Sequence, residues 1–133
     1  MIIPTSILRK SLGTVADLAK IWFESRTELK TRIVFEAKGQ LNDDGTGAVY
    51  VYFNQNNEAL YVGLTSRNLK ARLHDQTSPH KQKVWWEQWQ TMRFLQLSDD
   101  MDRQILEFLL ILAYAPSCNQ KPKAKNLDEL LPN

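Results

Sequence analysis

The chain has 133 residues, of which 43% are hydrophobic and 24% are charged. This composition is ordinary for a globular domain and excludes a disordered, collagen-like or low-complexity chain. The longest unbroken apolar stretch, residues 108–115, is far shorter than the roughly 20 residues needed to cross a bilayer, and a single cysteine excludes an internal disulfide framework and a multi-cysteine zinc site. We therefore expect a cytoplasmic protein with no membrane partner.

The N-terminal third shows one helix and one short strand. Thr14 is a residue type that caps helices, and Val15, Leu18 and Trp22 follow it at helical spacing. Residues 32–36 are β-prone. We find no chemistry in residues 1–45 and expect an N-terminal extension that packs on the rest of the chain.

The middle of the chain predicts a β-hairpin followed by two helices. Residues 48–53 and 60–63 are rich in β-branched and aromatic side chains, and the polar residues 54–58 between them are typical of a hairpin loop. A helix is expected around Leu69 and Leu73, and a second one over residues 80–90.

The last two elements are a strand and an apolar helix. Residues 92–97 alternate between apolar and polar side chains, as a half-buried strand does. Ser98 opens a helix with three aspartates in its first turn, and Pro116 ends it. The fold class is therefore α/β (α+β), with a small antiparallel three-stranded sheet flanked by helices and an N-terminal helical extension.

Positive charge is concentrated in one segment, although the net charge is only +2. A net charge of this size does not by itself indicate a nucleic-acid partner. Between residues 64 and 83 the chain carries a single acid, Asp75, and five basic residues: Arg67, Lys70, Arg72, Lys81 and Lys83.

Glu107 interrupts the apolar final helix. An ionised carboxylate in such surroundings costs several kcal/mol unless it is paired, binds a metal or reaches a cleft. Two interpretations stay open from the helix alone: an ion pair with Arg103, one turn earlier, or a functional carboxylate.

An ordered set of residues resembles the GIY-YIG nuclease superfamily over residues 46–119. The set comprises residues 48–50, residues 60–63 with Gly63 at their end, Arg72, Glu107, Pro116 and Asn119. No single member of the set is specific for this superfamily, but the order and spacing of the whole set are. The resemblance divides the chain into the extension 1–45, a nuclease-like domain 46–119 and a basic tail 120–133.

The resemblance implies a DNA-cleaving site that uses one divalent metal, magnesium or manganese. Tyr50 would activate or position the attacking water, and Tyr61 would bind the scissile phosphate or share its hydrogen-bond network. Arg72 would hold the phosphate, because its planar donor fork matches phosphate oxygens and keeps its charge. Glu107 would bind the metal, and Asn119, with Gly63, would support the site structurally.

Three positions depart from the family pattern. Ala48 stands where glycine is usual, Leu64 where many members carry lysine, and Gln76 where many carry histidine. The last two replacements remove groups that help a tyrosine lose its proton.

Beyond the site, we expect phosphate contacts from four basic residues: Arg67, Lys70, Lys81 and Lys83. For Trp85 and Trp89 two interpretations stay open, stacking against DNA bases or packing on the sheet. The resulting hypothesis is a metal-dependent DNA endonuclease that acts as a homo-oligomer or with a separate targeting partner. The alternative is a catalytically inactive nucleic-acid-binding or protein-interaction domain on the same fold.

Overall fold

A computed structural model describes residues 3–33, 46–66 and 84–119 of the chain. In chain order it contains helix α1 (Thr5–Ser25) and strands β1 (Lys30–Thr31), β2 (Ala48–Phe53) and β3 (Ala59–Thr65). A 3-10 turn (Val84–Glu87), strand β4 (Thr91–Gln96) and helix α2 (Asp100–Tyr114) follow. No helix in these three ranges is both long and apolar enough to span a membrane.

The four strands form one antiparallel sheet in the order β1-β4-β2-β3. The α+β class, the hairpin and the last strand are confirmed. The sheet has one strand more than the sequence predicts, because β1 pairs with the start of β4. The strand expected at residues 32–36 is wrong for its described part, since residues 32 and 33 have a helical backbone and β1 lies before them. Arg32 fixes this segment further by donating from Nη1 to the carbonyl oxygens of Trp86 at 2.6 Å and Trp89 at 3.2 Å.

Helix α1 begins nine residues before the expected cap at Thr14. The Thr14 hydroxyl donates to the carbonyl oxygen of Lys10 at 3.0 Å within the helix, so it caps nothing. At α2 the cap is Asp99, whose side chain accepts from the backbone N–H of Asp102 at 2.9 Å, one residue after the predicted start. Ala115, in the left-handed region, ends α2 before Pro116.

The expected helix over residues 80–90 is wrong for its described part. Only one 3-10 turn forms, at Val84–Glu87, and the chain then enters β4. Bonds to distant segments explain the difference. Arg32 donates to the carbonyl oxygens of Trp86 and Trp89, and the Gln90 N–H donates to the carbonyl oxygen of Phe53, so these groups are not free to continue a helix.

Each face of the sheet carries its own core. Helices α1 and α2 pack together on one face, the helix face, against Val49, Val51 and Val62. The opposite face carries tyrosines and tryptophans and is called the tyrosine face below. Alternate residues of a strand point to opposite faces, so β2 contributes to both cores.

The chain after α2 closes the outer edge of β3. The backbone N–H of Cys118 donates to the carbonyl oxygen of Leu60 at 2.8 Å. The buried amide of Asn119 accepts from the N–H of Val62 and donates to its carbonyl oxygen, both at 2.8 Å. These bonds satisfy backbone groups that an open edge strand would expose.

Replacing Asn119 by alanine removes both side-chain bonds to Val62. Because these bonds are buried, we expect the free energy of unfolding to fall by about 2–3 kcal/mol in urea titrations. The matched control is Asn56→Ala in the exposed hairpin loop, where we expect a change within about 0.5 kcal/mol. An equally small change for Asn119→Ala would contradict this role for the amide.

Candidate active site

Strands β2 and β3 bring the two predicted catalytic tyrosines onto one face of the sheet. Tyr50 pairs with Gly63 across the two strands, and Tyr52 pairs with Tyr61. Directly paired residues project to the same side, so the three tyrosines share the tyrosine face. The ring centroids of Tyr50 and Tyr61 are 6.4 Å apart.

Gly63 leaves the space in which the Tyr50 hydroxyl lies. A Cβ atom at Gly63 would be 2.7 Å from Tyr50 Oη and 2.7 Å from Tyr61 Cε1. Such distances are well inside van der Waals contact. Any side chain at this position would push both phenol rings away from the strand, so the glycine sets how closely the two tyrosines approach.

A tryptophan cluster, composed of Trp85, Trp86 and Trp89, covers the same face. Trp85 stacks on Tyr61 with ring centroids 4.9 Å apart and planes at 12°, and Trp89 lies 4.9 Å from the Tyr52 ring. Trp89 is 0% exposed. The packing interpretation of these tryptophans is confirmed.

Arg32 is a supporting residue that the sequence did not reveal. For Trp85 the sequence indicated packing on the sheet as one interpretation, but not that it would hold Tyr61 by stacking. The Arg32 guanidinium lies 4.6 Å from the Trp89 ring centroid. No sequence signal joins Arg32 to residues more than 50 positions away.

Glu107 lies on the sheet-facing stripe of α2 and is half-buried. Arg103, one turn before it, does not make the ion pair that one interpretation proposed. The Arg103 guanidinium instead pairs with Asp100 at 3.1 Å and donates to the carbonyl oxygens of Thr46 at 3.0 Å and Leu97 at 2.6 Å.

Glu107 and the tyrosines approach the sheet from different sides. Helix α2 packs on the helix face, and the sheet strand it contacts most is the edge strand β3. Glu107 therefore reaches the tyrosine face only around an edge of the sheet. Among the described residues, no group of three or more His, Cys, Asp or Glu side chains is arranged to hold a metal.

Several predicted site residues lie outside the described part of the chain. These are Arg67, Lys70, Arg72, Lys81 and Lys83. The described part thus brings together Tyr50, Tyr61 and Gly63.

A cleft of about 590 Å³ lies between α1, the hairpin loop and the C-terminal end of α2. None of the predicted site residues lines it. Within it the Tyr114 hydroxyl donates to Glu24 at 2.7 Å. Burial, together with this bond, holds the pKa of Tyr114 well above its usual range. The cleft is separate from the tyrosine face.

The family model for the GIY-YIG catalytic domain matches residues 46–121, more than half of the chain. The chain belongs to the GIY-YIG family. Its fold and its nuclease-type domain are those that the sequence resemblance implied. GIY-YIG proteins are in general endonucleases that act on DNA and use divalent metals. Comparison with curated proteins and with solved structures gave no significant match.

The close approach at Gly63 gives a stability prediction. We expect Gly63→Ala to lower the free energy of unfolding by about 1–3 kcal/mol, because the added methyl group overpacks the two rings. In a Tyr50→Leu background, which removes the contacting hydroxyl, the same substitution should cost about 1 kcal/mol less. Urea titrations of the four proteins in this double-mutant cycle measure the difference, and strictly additive changes would contradict the contact.

Proposed function

We propose that this protein is a metal-dependent DNA endonuclease that hydrolyses phosphodiester bonds. The observation that carries the proposal is the pair of phenols, Tyr50 and Tyr61, that converge beside Gly63 on one sheet face of a GIY-YIG domain. If the two tyrosines lay on opposite faces of the sheet, this chain would share only its architecture with GIY-YIG nucleases, without a site for cleavage.

Tyr50, Tyr61 and Arg72 would have different roles at the scissile phosphate. Tyr50 positions or deprotonates the attacking water, and half-buried Tyr61 binds a phosphate oxygen or shares the hydrogen-bond network. A phenol normally titrates near 10, so it acts as a base at neutral pH only where nearby positive charge favours its phenolate. Arg72 supplies such charge and binds the phosphate with two parallel donors.

Glu107 would hold the divalent metal. A carboxylate oxygen is the hard ligand that magnesium and manganese prefer, and magnesium sites are commonly built from one or two carboxylates, several waters and the substrate's phosphate. The single half-buried carboxylate of Glu107 therefore fits a magnesium or manganese ion. When bound, the metal stabilises the negative charge that develops on the phosphate and on the leaving oxygen.

Four basic residues would add sequence-independent contacts to the DNA backbone: Arg67, Lys70, Lys81 and Lys83. Contacts of this kind fix the position of the duplex and weaken as salt displaces them. We propose no base-specific contact.

One observation favours a second function, a binding domain without turnover. The Tyr50 side chain is 0% exposed, as an ordinary core residue would be, and Leu64 and Gln76 remove groups that assist tyrosine ionisation in many relatives. In a binding domain the basic residues would act while the tyrosines only packed.

Nicking of supercoiled plasmid in magnesium or manganese separates the two functions. We expect the wild-type chain to nick the plasmid and Glu107→Gln to be slower by about 100-fold or more, because the substitution removes the metal ligand but keeps the size of the side chain. The matched control is Glu28→Gln, whose side chain is 81% exposed beside Lys30; its rate should stay within about twofold of wild type.

The contrary outcomes are equally specific. A wild-type chain that leaves the plasmid intact but binds it with an affinity that falls steeply with salt would establish the binding domain. Nicking that Glu107→Gln leaves unchanged would overturn the role of Glu107.

A further inference from the structure

Helix α1 presents an apolar stripe to solvent. Its buried residues are Ala16 and Phe23, and Phe23 packs in the core of the helix face, yet the outer side of α1 is also apolar. Leu18 is 60% exposed and Ile21 is 64% exposed. The members of this α1 stripe are Ile7, Leu8, Val15, Leu18, Ile21 and Trp22. Spacings of three, four and seven residues put them on one side of the helix, where exposed Ser11 and Thr14 separate the first two members from the other four. An exposed apolar patch of this kind is typical of an interaction surface.

Two opposite charges flank the stripe on one side. Lys10 and Asp17 are seven residues apart, so they lie two turns apart along the same flank. Both are exposed. Within the described part of the chain neither makes an ion pair, so both charges are available to a partner.

The positions of these charges match a second α1 that runs in the opposite direction. A two-fold axis between residues 13 and 14 places Lys10 opposite Asp17 of the second copy, and Asp17 opposite Lys10. The same register brings Ile7 close to Leu18 of the second copy, twice by symmetry. A parallel pair would instead place the flanking charges beside Val15 and Trp22, which offer no counter-charge.

We propose that the α1 stripe is a dimerisation surface on which a second copy of this chain packs its own α1 in antiparallel orientation. Symmetry makes every contact occur twice, so two ion pairs flank a seam whose apolar contacts lie on either side of Ser11 and Thr14 at its centre. A lipid surface fits less well, because helices that lie on anionic membranes carry a basic polar face, whereas Asp17 borders this stripe. The helix face lies opposite the tyrosine face, so the dimer leaves both tyrosine faces uncovered.

Sedimentation velocity of the full chain from about 1 to 100 μM tests the surface. We expect a dimer for wild type, and a weakening of at least about 100-fold in the dimer affinity for Leu18→Glu, which places a charge in the seam. The matched control is Ile33→Glu, which is 82% exposed and lies outside α1 and should dimerise as wild type does. A wild-type chain that stays monomeric overturns the proposal, as does a Leu18→Glu chain that still dimerises.

Charge reversal tests the orientation without touching the apolar seam. Lys10→Glu alone and Asp17→Lys alone each put like charges opposite each other and should weaken the dimer by roughly fivefold. The double variant Lys10→Glu/Asp17→Lys restores both pairs and should return to within about twofold of wild type. Failure of the double variant to recover overturns the antiparallel pairing. If wild type is monomeric but binds phosphatidylserine vesicles through Leu18, the stripe belongs to a lipid surface and the proposal is wrong.

Discussion

The close approach of the Tyr50 ring to the backbone at Gly63 sets the geometry of the tyrosine face. A Cβ atom at Gly63 would be 2.7 Å from the Tyr50 hydroxyl oxygen, so one missing side chain decides where two phenols lie. The antiparallel register of β2 and β3 puts them on the same face, and Trp85 stacks on Tyr61 from the side. Each of these contacts fixes a ring, as a site that must position a hydroxyl group requires.

The sheet can hold this geometry because it is covered on both faces and closed along β3. Two helices bury one face, and the tryptophan cluster buries the other. Asn119 bonds the outer edge of β3 at Val62, the strand residue between Tyr61 and Gly63. A residue at the end of the family's motif thus restrains the strand that carries the site. Packed interiors transmit small displacements, so we expect loss of this amide to shift the neighbouring tyrosines.

Local patterns in the sequence predicted the elements whose structure is decided locally. Strands β2 and β4 follow from β-branched and alternating residues, and α2 follows from its apolar run between aspartates and Pro116. Contacts between distant segments decided the rest. Strand β1 depends on β4 and on the bonds from Arg32. The tryptophan segment turns instead of continuing as a helix because Arg32 takes up the carbonyl oxygens of Trp86 and Trp89.

The candidate site divides in the same way. The ordered family motif was enough to select Tyr50, Tyr61 and Gly63, and the register of the hairpin then placed them together. The partner of Arg103 was not predictable, since two carbonyl oxygens from other segments, at Thr46 and Leu97, hold its guanidinium toward Asp100. Likewise, no pattern in the sequence indicates that α2 and the tyrosines lie on opposite faces of the sheet.

Tyr50 and Tyr52 offer the most direct test of the central claim, that the hydroxyl beside Gly63 is a working group. The two residues share a strand, a face and full burial, and their ring centroids are 5.4 Å apart. Single-turnover rates of plasmid nicking should fall by about 100-fold or more for Tyr50→Phe and stay within about threefold of wild type for Tyr52→Phe. Equal rates for the two variants, whether both fast or both slow, would contradict the claim.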